Sequence, residues 1–296
     1  MDLLSDAAAF LQTHARLLER RRFELLFAGG GPEGALAALA AYGNADGGFG
    51  WGLEPDLRAP GSQPAGALHA FEVLEEVGPA GSATALALCD WLDGVTLPDG
   101  GLPFALAGAA GPGTAPWWAG ADPASSSLHI TAAICEAAQR VAAHDPAVAA
   151  HPWLARATAF CLGAIAELDE PSGAYELRYV LWLLDALHDT HADAREHLDR
   201  LADLVPASAT LPVAGGVEGE ALRPLDVSPR PAGPLRARIA ADAIAADLDR
   251  LVAERRADGG WDVDFATQSP ASALEWRGYA TVRALKLLRA HGAAPA

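Results

Sequence analysis

Cysteine is scarce in this chain: Cys89, Cys135 and Cys161 are the only three among 296 residues. Each lies in an apolar stretch with no C-x-x-C spacing, which argues against a disulfide framework and for buried thiols in a reduced compartment. Positive charge is also short, with 21 basic residues against 38 acidic ones and a formal net charge of −17. That balance argues against nucleic acid or an anionic membrane surface as a main partner. No apolar run approaches the roughly 18 residues of a membrane span. The start Met1-Asp2-Leu3-Leu4-Ser5-Asp6 has neither the basic segment nor the apolar core of a signal peptide, and the expected location is cytoplasmic. Phosphate loop, G-x-S-x-G elbow, H-E-x-x-H and EF-hand strings are all missing. Gly29-Gly30-Gly31 lacks the lysine of a phosphate loop and reads as a helix stop. No metal and no cofactor is expected.

What is present is a hydrophobic content of 51%, ample for a substantial core, and a recurring turn. Asp46-Gly47-Gly48-Phe49, Asp99-Gly100-Gly101-Leu102 and Asp258-Gly259-Gly260-Trp261 each follow a helical segment. Degenerate copies stand at Glu170-Pro171-Ser172-Gly173-Ala174 and at Thr210-Leu211-Pro212-Val213-Ala214-Gly215-Gly216-Val217. Apolar spacing predicts helices over 2–27, 33–43, from 62 or 63 with Pro64 in the first turn, and over 81–94, 124–143 behind an Asp122-Pro123 cap, 151–168 and 175–190. The last unit carries an Ile244, Leu248, Leu251, Val252 stripe and a second helix over 270–289. Residues 221–236 contain Pro224, Pro229, Pro231 and Pro234, so the fourth unit's second helix is missing, short or replaced by a loop. The expectation is one all-α domain over 1–296, irregular at about 205–238. It would be built from five or six helix–turn–helix repeats closing into an α/α toroid, with an open solenoid as the alternative.

The Asp-Gly-Gly-Phe/Trp turn after a helix, repeated with this count, resembles the repeat of squalene–hopene and oxidosqualene cyclases and of protein prenyltransferase β-subunits. The resemblance covers most of the chain in pattern and implies an α/α toroid with a central cavity for an isoprenoid or similarly apolar substrate. It does not carry over an activity. The Asp-x-Asp-Asp proton donor of class II terpene cyclases has as its nearest match Asp262-Val263-Asp264-Phe265, one carboxylate short. The prenyltransferase zinc ligands have no counterpart, because the cysteines lack the D-x-C pairing. Asp46, Asp99 and Asp258 read as scaffold, since two glycines supply positive φ and the aspartate hydrogen-bonds turn amides.

In a repeat protein, chemistry is sought in what one unit adds after its turn. Those additions are Glu54, Asp56 and Arg58; Trp117, Trp118 and Asp122; Tyr175, Glu176 and Arg178; Glu218, Glu220 and Arg223; and Asp262, Asp264, Glu275, Trp276 and Arg277. Asp262 and Asp264, two apart in an extended segment, would share a proton, or else lie in a solvated loop capping the next helix. Glu54 and Asp56 are acids or salt-bridge partners of Arg58. Asp122 is an N-cap before it is an acid. Trp117 and Trp118 shape a ligand path or pack on a rim, and Trp276 and Tyr279 line a cavity or join helices. Arg58, Arg178 and Arg277 would hold a diphosphate or carboxylate head. His69 and His129, early in inner helices, read first as satisfied core histidines, with His129 also a substrate-facing candidate. The functional expectation is acid-initiated cyclisation or isomerisation of an apolar small molecule, with a non-catalytic ligand or protein binder and a glycan-active toroid as alternatives.

Overall fold

The computed structural model describes residues 3–293; the expected helix start at Asp2 lies outside them. The described residues are predominantly helical. In chain order the elements are α1 (Leu3–His14), α2 (Leu17–Phe27), α3 (Pro32–Ala40), α4 (Pro64–Val77), α5 (Ser82–Val95), α6 (Pro116–Ala119), α7 (Leu128–Ala142), α8 (Pro146–Ala149), α9 (Pro152–Ala166), α10 (Ala174–Leu187) and α11 (Ala192–Ala202). There follow β1 (Leu211–Pro212), β2 (Ala221–Leu222), α12 (Pro224–Val227), α13 (Pro234–Ala237), α14 (Ala241–Ala253) and α15 (Pro270–Ala290). Proline opens eight of these helices at a position where its missing N–H leaves no bond unmade.

Two compact units divide the chain. One comprises residues 24–169 and 268–272, the other 1–23, 170–267 and 273–296. In the first, α4 and α7 are buried almost all round and pack on each other, while α3, α5 and α9 bury one face each. Its core holds Phe71, Leu74, Leu88, Ile130 and a fully buried Trp153, whose ring stacks 6.3 Å from Phe71 and whose indole N–H reaches Thr96 Oγ1 at 3.1 Å. In the second unit α10 packs against α11, α12 and α13 over Val180, Leu181, Leu184 and Leu187. Phe10, Leu11 and Leu18 are buried in the same unit, as are Val282, Leu285 and Leu288.

The three Asp-Gly-Gly turns have one geometry. Asp46, Asp99 and Asp258 accept the amide two residues on at 3.0, 3.1 and 3.1 Å, and Gly47, Gly100 and Gly259 have φ of 90°, 95° and 93°. The aspartates also take a bond from the next helix region: Asp46 and Asp99 from the Ser62 and Ser126 hydroxyls at 2.7 Å each, and Asp258 from Arg277 Nη2, which reaches both its oxygens at 2.9 Å. The apolar residue after each turn is buried, as expected of a seam plug. Each second glycine abuts a ring of another helix. A Cβ on Gly48 would lie 2.6 Å from Trp91 of α5, on Gly101 2.6 Å from Phe160 of α9, and on Gly260 2.8 Å from Phe10 of α1. The last turn therefore docks on the first helix as the earlier turns dock on α5 and α9.

Four local expectations are revised. The first helix breaks at Ala15-Arg16, where the Arg20 guanidinium bonds the freed Ala15 carbonyl at 3.0 Å and Arg16 bonds the buried Glu19 twice. The basic run Arg20-Arg21-Arg22, which helical spacing predicts on the polar side of the first helix, does not stay there throughout: Arg22 is buried, 5.6 Å over the Tyr279 ring. The 124–143 helix starts only at Leu128, because Ser127 donates its amide to Leu102 and caps Ile130, while Asp122 caps a separate turn at Ala124. The fourth turn is a β1–β2 hairpin pairing Leu211 with Leu222, followed by the short helices α12 and α13.

Candidate functional site

In the unit of residues 24–169 and 268–272, the segment after the first turn is buried although it is irregular. Glu54 and Asp56 are 8% and 2% exposed. A buried carboxylate needs partners, and Glu54 has two: its Oε1 accepts the Asp56 amide at 3.1 Å and its Oε2 meets His69 Nε2 at 2.7 Å, while His69 Nδ1 meets Glu72 Oε2 at 3.0 Å on the far side. His69 and Glu72 are three apart on α4 and so share a face. Burial opposes charge on His69, but Glu72 and Glu54 outweigh it and raise the imidazole to about 9. His69 is thus a satisfied core histidine, held as an imidazolium between two carboxylates.

Other repeat-specific segments close over this one. The Asp56 carbonyl accepts Ala115 N–H at 2.8 Å, Asp56 Oδ1 accepts Gln268 N–H at 3.2 Å, Arg58 N–H reaches Thr114 Oγ1 at 3.2 Å and Leu106 N–H reaches the buried Gln63 Oε1 at 2.8 Å. The Arg58 guanidinium lies against Gly52. Trp118 is buried and stacked 4.3 Å from Phe104, which His129 meets at 5.3 Å, whereas Trp117 is 49% exposed. The tryptophan pair therefore splits into one packing residue and one surface residue. Trp51, exposed with φ of 56° and its indole bonded to Asn44, is a strained aromatic that the repeat pattern did not single out.

In the other unit, α10 opens a second group. Glu176 caps its own helix by accepting Ser172 N–H at 2.8 Å. Tyr175 O–H donates to Glu220 Oε1 at 3.1 Å, and Arg178 lies over the rings of Tyr175, Tyr179 and Trp182 at 5.0, 4.3 and 5.1 Å. Burial, partly opposed by Arg178, pushes the Tyr175 phenol up. Asp226 pairs with Arg283 at 2.6 Å and accepts the Arg223 amide at 2.7 Å. Despite burial, Arg283, that amide and Arg178 hold its carboxyl low. Asp226 was missed in the sequence, although an acid three residues after Arg223 at a helix start signals a cap.

Asp262 and Asp264 have different surroundings: Asp262 joins Arg256 and Arg277 at 2.6 Å each, and a bend begins at Asp264. Asp264 is exposed at the surface; lost solvation first, then Asp226 and Glu220, raise its carboxyl, with its own backbone amide and Arg223 opposing. Arg277 is tied to Asp258 and Asp262 and lies 4.4 Å over Phe10, which makes it part of the turn scaffold rather than a head-group holder. Trp276 meets Phe265 and Tyr279 edge-on at 5.1 and 5.4 Å. Glu275 on the same helix is partly exposed. No cluster of three or more metal-ligating side chains occurs among the described residues, and none of their helices is long and apolar enough to cross a membrane.

No protein-family model matches the chain, and no curated protein matches it. Among solved structures it is similar to a protein from Actinoplanes, with a TM-score of 0.54 and 16% sequence identity over 98% of this chain and 89% of that one. At that identity the likeness is one of fold alone.

Proposed function

We propose that the chain is an α/α-toroid enzyme that binds an isoprenoid or similarly apolar small molecule and starts its cyclisation or isomerisation by proton transfer, with Asp264 as the acid. Support for the toroid comes from the last turn, which packs on α1 as the turn at 46 packs on α5. A closed ring of hairpins requires such a return. What supports Asp264 as the acid is the upward shift of its carboxyl, from lost solvation first and then from Asp226 and Glu220. Protonation of a carbon–carbon double bond by the Asp264 carboxylic acid would leave a cation that either closes on a second double bond or loses a neighbouring proton. Phe265, the next residue after Asp264, meets Trp276 edge-on at 5.1 Å, and such rings would stabilise a cation along the path. In this reading Glu54, His69 and Glu72 hold the buried segment in place.

Asp264→Asn keeps the shape and removes the proton. It is expected to lower turnover of a polyprene or prenyl substrate by about a hundredfold or more, with the thermal midpoint little changed; Asp262→Asn should act mainly on stability. Equal turnover in Asp264→Asn and wild type would remove Asp264 from the mechanism. One observation favours a second reading, a non-catalytic binder: an open groove of about 460 Å³ is lined by Asp99 and by Arg156, Phe160 and Gly163 of α9.

A further inference from the structure

We infer that Trp51 is the stacking platform of a surface site for the pyranose ring of an uncharged saccharide, with the Arg58 guanidinium beside it to bond sugar hydroxyls. Of the eight tryptophans in the chain, only Trp51 and Trp117 are exposed, at 56% and 49%. Trp51 is also one of two non-glycine residues with positive φ among the described residues, at 56°, the other being Ala209. That left-handed region suits glycine or asparagine and disfavours a large side chain. Gly52 continues the bend with φ of 74°, as turn chemistry requires, but nothing in a turn calls for tryptophan at 51. Such strain persists only where the surroundings over-determine it, and it gathers at ligand sites.

The surroundings of Trp51 do over-determine it. Its backbone N–H donates to the Ala59 carbonyl at 2.9 Å and its indole N–H to Asn44 Oδ1 at 2.8 Å. Asn44 is fixed in turn: its Nδ2 donates to the Pro60 carbonyl and to Ser62 Oγ, both at 3.0 Å, and the Ser62 hydroxyl donates to Asp46 Oδ1 at 2.7 Å. The first Asp-Gly-Gly turn thus pins an indole while leaving more than half of the residue in water. A ring held this way loses little entropy when a ligand stacks on it. Arg58 belongs to the same loop. Its guanidinium carbon lies 3.1 Å from where a Cβ on Gly52 would stand, its Cγ lies 3.1 Å from the same point on Gly113, and its backbone N–H is held by Thr114 Oγ1 at 3.2 Å. An indole with a planar fork of donors beside it matches a pyranose: the sugar's C–H bonds carry partial positive charge toward the electron-rich ring, and its hydroxyls accept from the guanidinium. The net charge of −17 turns away nucleic-acid bases, another ligand that stacks on aromatic side chains. The inference does not rest on Asp264 or its chemistry.

Titration of the full chain with cellobiose and with maltose, followed by NMR of the indole N–H signals, tests the site. Wild type should bind at least one of the two with a Kd on the order of 1 mM and a shift of the Trp51 signal. Trp51→Asn, whose side chain tolerates the left-handed backbone, should bind at least about tenfold more weakly without disturbing the fold. Arg58→Gln should weaken binding about fivefold or more, and Asn44→Ala, which frees the indole, should weaken it while Trp51 is still present. Trp117→Ala, which removes the other exposed tryptophan, should bind as wild type does. No shift of the Trp51 signal with either sugar, or equal Kd in wild type and Trp51→Asn, overturns the site. Binding lost in Trp117→Ala and kept in Trp51→Asn assigns the sugar to Trp117 and overturns it as well. A stack this weak releases its sugar during purification, so the outcome is independent of turnover and of any molecule extracted with the protein.

Discussion

Gly259→Ala is expected to cost about 3–5 kcal/mol of stability, taking about 1–2 for a left-handed non-glycine residue and the rest for overpacking. Gly259 has φ of 93°, and a Cβ there would stand 2.2 Å from the Asp6 carbonyl oxygen. That oxygen is backbone of α1 and cannot swing aside as a side chain would, so the turn or the helix must shift. Gly94→Ala is the control, because Gly94 lies in α5 with negative φ and nothing within 4 Å of the added carbon. It should gain about 0.5–1 kcal/mol. Urea midpoints of the two variants check the pair, and a Gly259→Ala protein as stable as wild type would show that the last turn does not depend on its seat on α1.

His69→Leu is expected to have a comparable effect, about 3–5 kcal/mol at neutral pH, because it leaves Glu54 and Glu72 facing a site with no cation between them. The pH dependence has a definite sign. The folded imidazole is raised from 6.5 to about 9, so the folded state holds the proton more tightly and the stabilisation is fully present below pH 6.5. It is lost as pH rises toward about 9, on the order of 3 kcal/mol in all. Wild type should therefore lose stability between pH 6.5 and 9 more steeply than His69→Leu. Parallel pH profiles for the two would mean that His69 is not held as a cation.

Much of the scaffold was legible because its causes are local. Two adjacent glycines behind an aspartate specify one turn whatever surrounds them, and Pro64 and Pro152 mark helix starts through their own covalent geometry. Boundaries set by distant partners were not legible. The delayed start of α7 depends on Leu102, and the break between α1 and α2 depends on Arg20 finding the Ala15 carbonyl. Site residues divide the same way. Glu54 and Asp56 stood out as carboxylates in a segment that could not be helical, but which cation would meet them could not be read. Arg58 was the nearest in sequence, yet Glu54 found His69 fifteen residues on. Asp262 and Asp264 looked equivalent by spacing and were separated by arginines at 256 and 277.

The most direct test of the central claim is mass spectrometry of small molecules extracted from the chain purified from its own host, comparing wild type with Asp264→Asn. The acid reading predicts an apolar isoprenoid-type compound in both, with an uncyclised or unisomerised form enriched in the variant. A glycan, or the same compound in the same form from both proteins, would contradict it.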